Sequence, residues 1–368
     1  NADFNEYLKL QAKALREANP MLDAYADKKW ATLQDTPLEF TITRENYEDE
    51  MTGTIVENKE LSALLEKHGI SPIPKDFLGG RVGIVNKKGT HALLAIKEYL
   101  PTLAKNMPFA DEYEQNISTD TDAKQTMVDV DLVAVTGDVG EYRGGITLAE
   151  NLPNDDKLSL TIGGGRRNVY HRQIRFISDM KKLQERLDEI LDKEQHQFYL
   201  DEADHWFTIG HENAHSLGPK KACETLGKYR NIIEENKADM GALAFVDLLT
   251  ELGMYTEEQR KQIIVTTIAD NFLKSKPTMS QAHRVRTVMQ NKYFAERGAY
   301  DIIDGKIHVN IDKVVPIAKE MLAEIIRIQI EGDFDKAEKY VLDNFVWTDN
   351  MDCLLYTSPS PRDRQKSR

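Results

Sequence analysis

Trp206-Phe207-Thr208-Ile209-Gly210-His211-Glu212-Asn213-Ala214-His215, followed by Glu234-Glu235-Asn236-Lys237-Ala238-Asp239, decides how this chain is read. Trp206, Phe207, Ile209 and Leu217 surround the first segment, and Ala238, Leu243, Phe245, Val246 and Leu249 continue the second. Apolar residues in that pattern make both segments buried helices. On a helix His211 and His215 share one face, one turn apart, where both imidazoles reach a single ion. Glu212 lies beside that line, placed to take a proton from a metal-bound water rather than to ligate. Glu235 follows His215 by twenty residues, enough for a loop and a second helix to bring an anionic third ligand. Asp239 and Glu234 are assigned to the carboxylates behind the ligands. Asp239, one turn past Glu235, can accept the free ring N–H of a ligand histidine and so fix its tautomer. The set calls for one zinc ion.

The chain has 368 residues, room for two or three domains or one large two-lobed enzyme. At 40% hydrophobic and 30% charged residues it has the composition of a globular protein, not a disordered or fibrous one. A net charge of −13 argues against a nucleic-acid partner and is compatible with substrates that carry a free amino group. The two cysteines, Cys223 and Cys353, form no disulfide framework and no C-x-x-C pair. No apolar run is long enough for a membrane span. A cytoplasmic location is expected. The oligomeric state is open. The sequence begins at Asn1 without Met, so a fragment lacking upstream residues is expected. Residues 353–368 resemble a translated sequencing adapter and are set aside as a non-native tail.

Along the chain, Phe4, Leu8, Leu10 and Leu15 give a helical pattern broken at Asn19-Pro20, and Thr36 to Thr43 looks extended. Glu57 to His68 and His91 to Lys105 are helical, separated by the Pro- and Gly-rich stretch from Ile70 to Gly80. Val128 to Thr136 is rich in β-branched residues and reads as a strand. Gly163-Gly164-Gly165 matches neither the P-loop nor the dinucleotide pattern and reads as a tight turn. Helical patterns then run through 179–199, 203–217, 222–252, 257–274, 279–297 and 311–331. The expected organisation is therefore a mixed segment 1–56, a helical excursion 57–120 into the upper lobe, a strand-rich mixed segment 121–178, and a helical metal-binding lobe 179–350.

Read with Asn151-Leu152-Pro153-Asn154-Asp155-Asp156, Glu45-Asn46-Tyr47-Glu48-Asp49 and Ala282-His283, the two helices resemble the dipeptidyl peptidase III family of zinc exopeptidases. The likeness runs from about Thr43 to about Asp333. The pentapeptide H-E-x-x-H followed by Gly218-Pro219 is closer to the bacterial-type branch than to members with a six-residue H-E-x-x-G-H motif. The resemblance implies an α+β, predominantly α fold with two lobes, one helical and metal-binding, one mixed and strand-containing, with a cleft between. It implies His211, His215 and Glu235 as zinc ligands and Glu212 as general base. Tyr47 would steady the tetrahedral intermediate, and His283 would lie near the scissile carbonyl. Glu45 would pair with the substrate's free amino terminus, while Asn151 and Asn154 would hydrogen-bond its main chain. Short peptides losing amino-terminal dipeptides are the implied substrates. No residue matches the family's second acidic group of the amino-terminus pocket, or an arginine that lies late in longer members. A zinc endopeptidase or other zinc hydrolase without dipeptide register, and an inactive peptide-binding relative or truncated product, stand as alternatives.

Overall fold

The computed structural model describes residues 1–17, 19–30, 33, 36–45, 58–69, 77–115, 117, 127–137, 149–152, 167–172, 180–219, 223–272, 276–279, 281–348 and 351. Tyr47, Asn154, the Gly163-Gly164-Gly165 turn and the tail 353–368 lie outside the described residues. The chain divides into two compact units, residues 1–98 with 118–176 and residues 99–117 with 177–368.

In the first unit, α1 (Ala2–Glu17) and α2 (Pro20–Trp30) pack on one another and onto a mixed sheet. The break between them falls at Asn19-Pro20, as the sequence suggests, because proline suits the first turn of a helix and is disfavoured further in. The strands are β1 (Leu38–Glu45), β2 (Phe77–Val85), β3 (Met127–Gly137), β4 (Ala149–Leu152) and β5 (Arg167–Arg172), in spatial order β1-β2-β3-β5-β4. All neighbours are antiparallel except β3 and β5, which run parallel with Val130 opposite His171. The apolar core here joins Tyr7, Ala26, Trp30 and Leu33 to Val128 and Val130. The Trp30 indole donates to the buried Glu39 carboxylate, which satisfies both polar groups inside the core. Residues 57–120, read from sequence as a helical excursion, contain α3 (Lys59–Lys67) and α4 (Lys87–Lys105) but also β2, which pairs with both β1 and β3. Gly79-Gly80 and Gly83, with a Pro-rich prelude, hid that strand, because glycine weakens the β signal.

The second unit is helical: α5 (Met180–Ile190), α6 (Asp201–Ala214), α7 (Arg230–Ala244), α8 (Val246–Glu251), α9 (Glu257–Asn271), α10 (Ala282–Glu296), α11 (Ile311–Glu331) and α12 (Phe334–Asn344). A two-stranded hairpin, β6 (Tyr300–Ile303) and β7 (Lys306–Val309), interrupts them. Helix α7 packs against α6, α10 and α11 and is buried from Asn236 to Ala244 without a break. A helix enclosed on all sides needs a partner for every polar side chain it carries. Asn236, Lys237 and Asp239 are its buried polar residues, and their partners build the site described next. Among the described residues no helix is long and apolar enough to cross a membrane.

Candidate metal centre

Small residues let α6 and α7 come together. Gly210 and Ala214 on α6 face Ala242 and Gly241 on α7; a Cβ at Gly241 would stand 2.8 Å from Ala214 Cβ, and one at Gly210 would stand 3.2 Å from Ala242 Cβ. That close crossing brings the histidines of α6 up to the glutamates of α7. Helix α6 ends at Ala214, yet His215 keeps helical angles (φ −59, ψ −28) and its N–H bonds to His211 O. The one-turn register of the two histidines therefore survives the helix end.

The two imidazoles meet edge to face, with ring centroids 4.7 Å apart, and their Nε2 atoms are 3.1 Å from each other. Glu235 Oε2 lies 3.4 Å from His211 Nε2, and its Oε1 lies 3.9 Å from His215 Nε2. The far sides of both rings are taken: His211 Nδ1 is 2.7 Å from Asp239 Oδ1, and His215 Nδ1 is 3.0 Å from Glu234 Oε1. An ionised carboxylate only accepts, so each Nδ1 carries a proton and donates it. The neutral rings then present bare Nε2 lone pairs. Two nitrogen lone pairs and a carboxylate converge with no donor among them, an arrangement that a cation relieves. Ligand atoms about 2.0–2.2 Å from a tetrahedral ion stand about 3.3–3.6 Å apart, which is the scale of these separations. His211, His215 and Glu235 are the cluster of metal-ligating type found among the described residues. Glu235 Oε2 is buried and accepts no well-aligned hydrogen bond, so it has capacity for an ion.

Burial alone would raise the Glu235 carboxyl, but His283, with its Nδ1 2.9 Å from Oε2, leads the interactions that outweigh it and hold the group well below the usual carboxylate range. Burial also acts to raise Glu234, and Lys237 with His215 overcomes it in the same way. Both carboxylates therefore remain anionic at neutral pH. Glu212, half-buried beside His211, is close enough to Arg286 to interact with it electrostatically.

His283 opens α10 with its side chain 62% exposed and its Nδ1 2.9 Å from Glu235 Oε2. The structure thus brings His211, His215, Glu234, Glu235, Asp239 and His283 together. Glu45 ends β1 and Asn151 lies on β4, both in the first unit, while Tyr47 and Asn154 fall outside the described residues. Four residues that the sequence did not single out also belong to the site: Lys237, Arg286, Gln290 and Gln329 touch Glu234 or Asp239. His283, Arg286 and Gln290 lie on one face of α10 at helical spacing, a signal that was present but had no partner to give it meaning.

No family model matches the chain. It is 27% identical over 327 residues to Nudix hydrolase 3 of Arabidopsis thaliana, a match that covers 85% of this chain and 38% of that protein. Among solved structures it is similar to DPP III from Caldithrix abyssi, with a TM-score of 0.75, 24% identity, and coverage of 97% of this chain and 64% of that one. Dipeptidyl-peptidase III from Corallococcus sp. strain EGB gives a TM-score of 0.74 at 20% identity and covers 97% and 63%. The chain spans less than two thirds of the length of each of these proteins. Its architecture, an α+β fold that is mainly helical, is the one those dipeptidyl-peptidase III structures adopt.

Proposed function

We propose that this chain carries the catalytic metal centre of a zinc peptidase that removes dipeptides from the amino terminus of short peptides. The observation that carries the reading is the convergence of His211 Nε2, His215 Nε2 and Glu235, with both Nδ1 atoms turned away onto Asp239 and Glu234. One zinc ion held there would polarise a peptide carbonyl and lower the pKa of a bound water to about 7. Glu212, next to His211 on the last turn of α6, takes the proton of the attacking water and passes it to the leaving amine. His283, exposed at the mouth of the cluster, can donate to the oxyanion that develops on the scissile carbonyl. Asp239 and Glu234 keep both ligand rings in the tautomer that leaves Nε2 free. Amino-terminus recognition by Glu45, main-chain recognition by Asn151 and Asn154, and intermediate stabilisation by Tyr47 are proposed on the motif resemblance.

Glu212→Ala tests the reading. It should retain zinc and lose peptidase activity by a factor of about 100 or more, the usual worth of a positioned general base. Activity surviving that change removes Glu212 as the base. Amino-terminal acetylation tests the register: a blocked peptide cut as well as the free one makes the enzyme an endopeptidase instead.

A further inference from the structure

Behind each carboxylate that holds a ligand histidine stands a cation, Lys237 fully buried and Arg286 12% exposed, with a buried amide beside it. Lys237 is 1% exposed. Its Nζ donates to Glu234 Oε1 at 2.7 Å and to Leu217 O at 2.7 Å, and lies 3.4 Å from His215 O. Gln329 Nε2 takes the other Glu234 oxygen at 2.9 Å. On the opposite side the Arg286 guanidinium contacts Asp239 Oδ2, and Gln290 Nε2 donates to the same oxygen at 2.9 Å. Gln290 is fixed in turn, donating to Asn236 Oδ1 at 3.0 Å and accepting from Asn271 Nδ2 at 3.3 Å.

The two halves of the site are therefore built alike: ligand ring, carboxylate, cation, buried amide. Water does not reach Asp239, so its charge must be balanced within the protein, and a half-satisfied polar network would leave the carboxylate free to turn. Lys237 does more than balance charge. It holds His215 twice, at the backbone through the carbonyls of residues 215 and 217, and at the ring through Glu234. The residue needed at that place must reach three acceptors that point inward, which an ammonium with three donors does.

We propose that Lys237 and Arg286 are positioning residues of the metal centre: each locks the carboxylate that sets one ligand histidine, so that metal affinity depends on cations that never reach the ion. The proposal rests on the metal-site reading above. The test measures zinc affinity of the full chain by competition with a chromophoric chelator, alongside melting of the chelator-treated protein. Lys237→Met and Arg286→Met should each weaken zinc binding about tenfold or more, the range typical of residues behind a ligand. In a Glu234→Ala background, Lys237→Met should cost less affinity than in the wild type, only the part carried by its bonds to the carbonyls of residues 215 and 217 remaining. Gln329→Leu, which frees the other Glu234 oxygen and leaves the Lys237 bonds to the carbonyls of residues 215 and 217 in place, gives a smaller loss in the same direction and stands in if the lysine variant does not fold. Lower melting temperatures with unchanged zinc affinity in the folded variants would make both cations mere struts and overturn the proposal. Full additivity of Lys237→Met with Glu234→Ala overturns the route through Glu234. A wild-type chain that binds no zinc instead sinks the metal-site reading itself, which separates the two failures.

Discussion

Gly241→Ala probes the crossing on which the whole site is built. A methyl there would stand 2.8 Å from Ala214 Cβ, whereas carbon atoms in comfortable contact sit about 3.5–4.0 Å apart, a deficit of about 0.7–1.2 Å. Ala214 Cβ is fixed to its backbone, so no rotamer can move it aside and the helices must part. Overpacking of this kind costs about 1–3 kcal/mol. Alanine's better helix propensity offsets about 1 kcal/mol of it. Because the neighbour cannot yield, a net loss of about 1–2 kcal/mol is expected, a fall of about 2–8 °C in melting temperature for a unit of this size. His215 follows Ala214 directly, so parting the helices also moves its ring away from Glu235. Zinc affinity should drop about tenfold. Calorimetric melting of chelator-treated protein reads the first effect, and chelator competition reads the second. Ala214→Gly combined with Gly241→Ala moves the methyl from one helix to the other and should recover the zinc affinity. If Gly241→Ala melts at or above the wild type and binds zinc normally, the close crossing does not set the site.

Asp239→Asn keeps the size of the side chain but removes its charge and offers His211 Nδ1 a weaker acceptor; zinc affinity should fall about 10- to 100-fold in a chelator competition. Glu112, bound bidentately by Arg327 at 2.7 and 2.9 Å, has its carboxyl held below the ordinary range by that hydrogen-bonded pair. A lowered folded pKa contributes stability above the unfolded value of about 4.3 and loses it as pH falls through the folded value. The melting difference between wild type and Glu112→Gln should accordingly be largest above about pH 5 and shrink in more acidic buffer. A difference independent of pH would mean that the guanidinium's stacking on Phe109, 3.9 Å from the ring centroid, matters more than its charge.

The elements that were legible in the sequence are those whose patterns end at hard stops. Helix α11 runs from Ile311 to Glu331 as its periodicity indicates, closed by Gly332 at φ 61. The long pattern 222–252 proved discontinuous: a 3-10 segment from Cys223 to Tyr229 precedes α7, and the chain kinks at Phe245 before α8. Apolar spacing cannot report such breaks, because all three pieces carry buried apolar residues, Leu226 and Tyr229 in the first, Ile232 and Leu243 in α7, and Val246 and Leu249 in α8. The β6–β7 hairpin was missed although Asp304-Gly305 announces it; both residues take positive φ (53 and 75), as a two-residue hairpin turn requires. At the site, the shared face of His211 and His215 needed only local helix geometry, and Glu235 was found by its place on the next helix, so all three could be read directly. Gln329 reaches Glu234 from α11, ninety-five residues away, and no local rule connects them. Nothing in the sequence distinguishes Lys237 from an ordinary polar residue of a helix, and only the burial of α7 shows that its charge is enclosed.

The most direct test of the central claim is anomalous diffraction at the zinc edge from crystals of the chain grown with zinc. The account predicts a single strong peak about 2.0–2.2 Å from His211 Nε2, His215 Nε2 and a Glu235 carboxylate oxygen, with Asp239 and Glu234 still on the Nδ1 atoms. No peak at that point, or an ion held through either Nδ1, would contradict it.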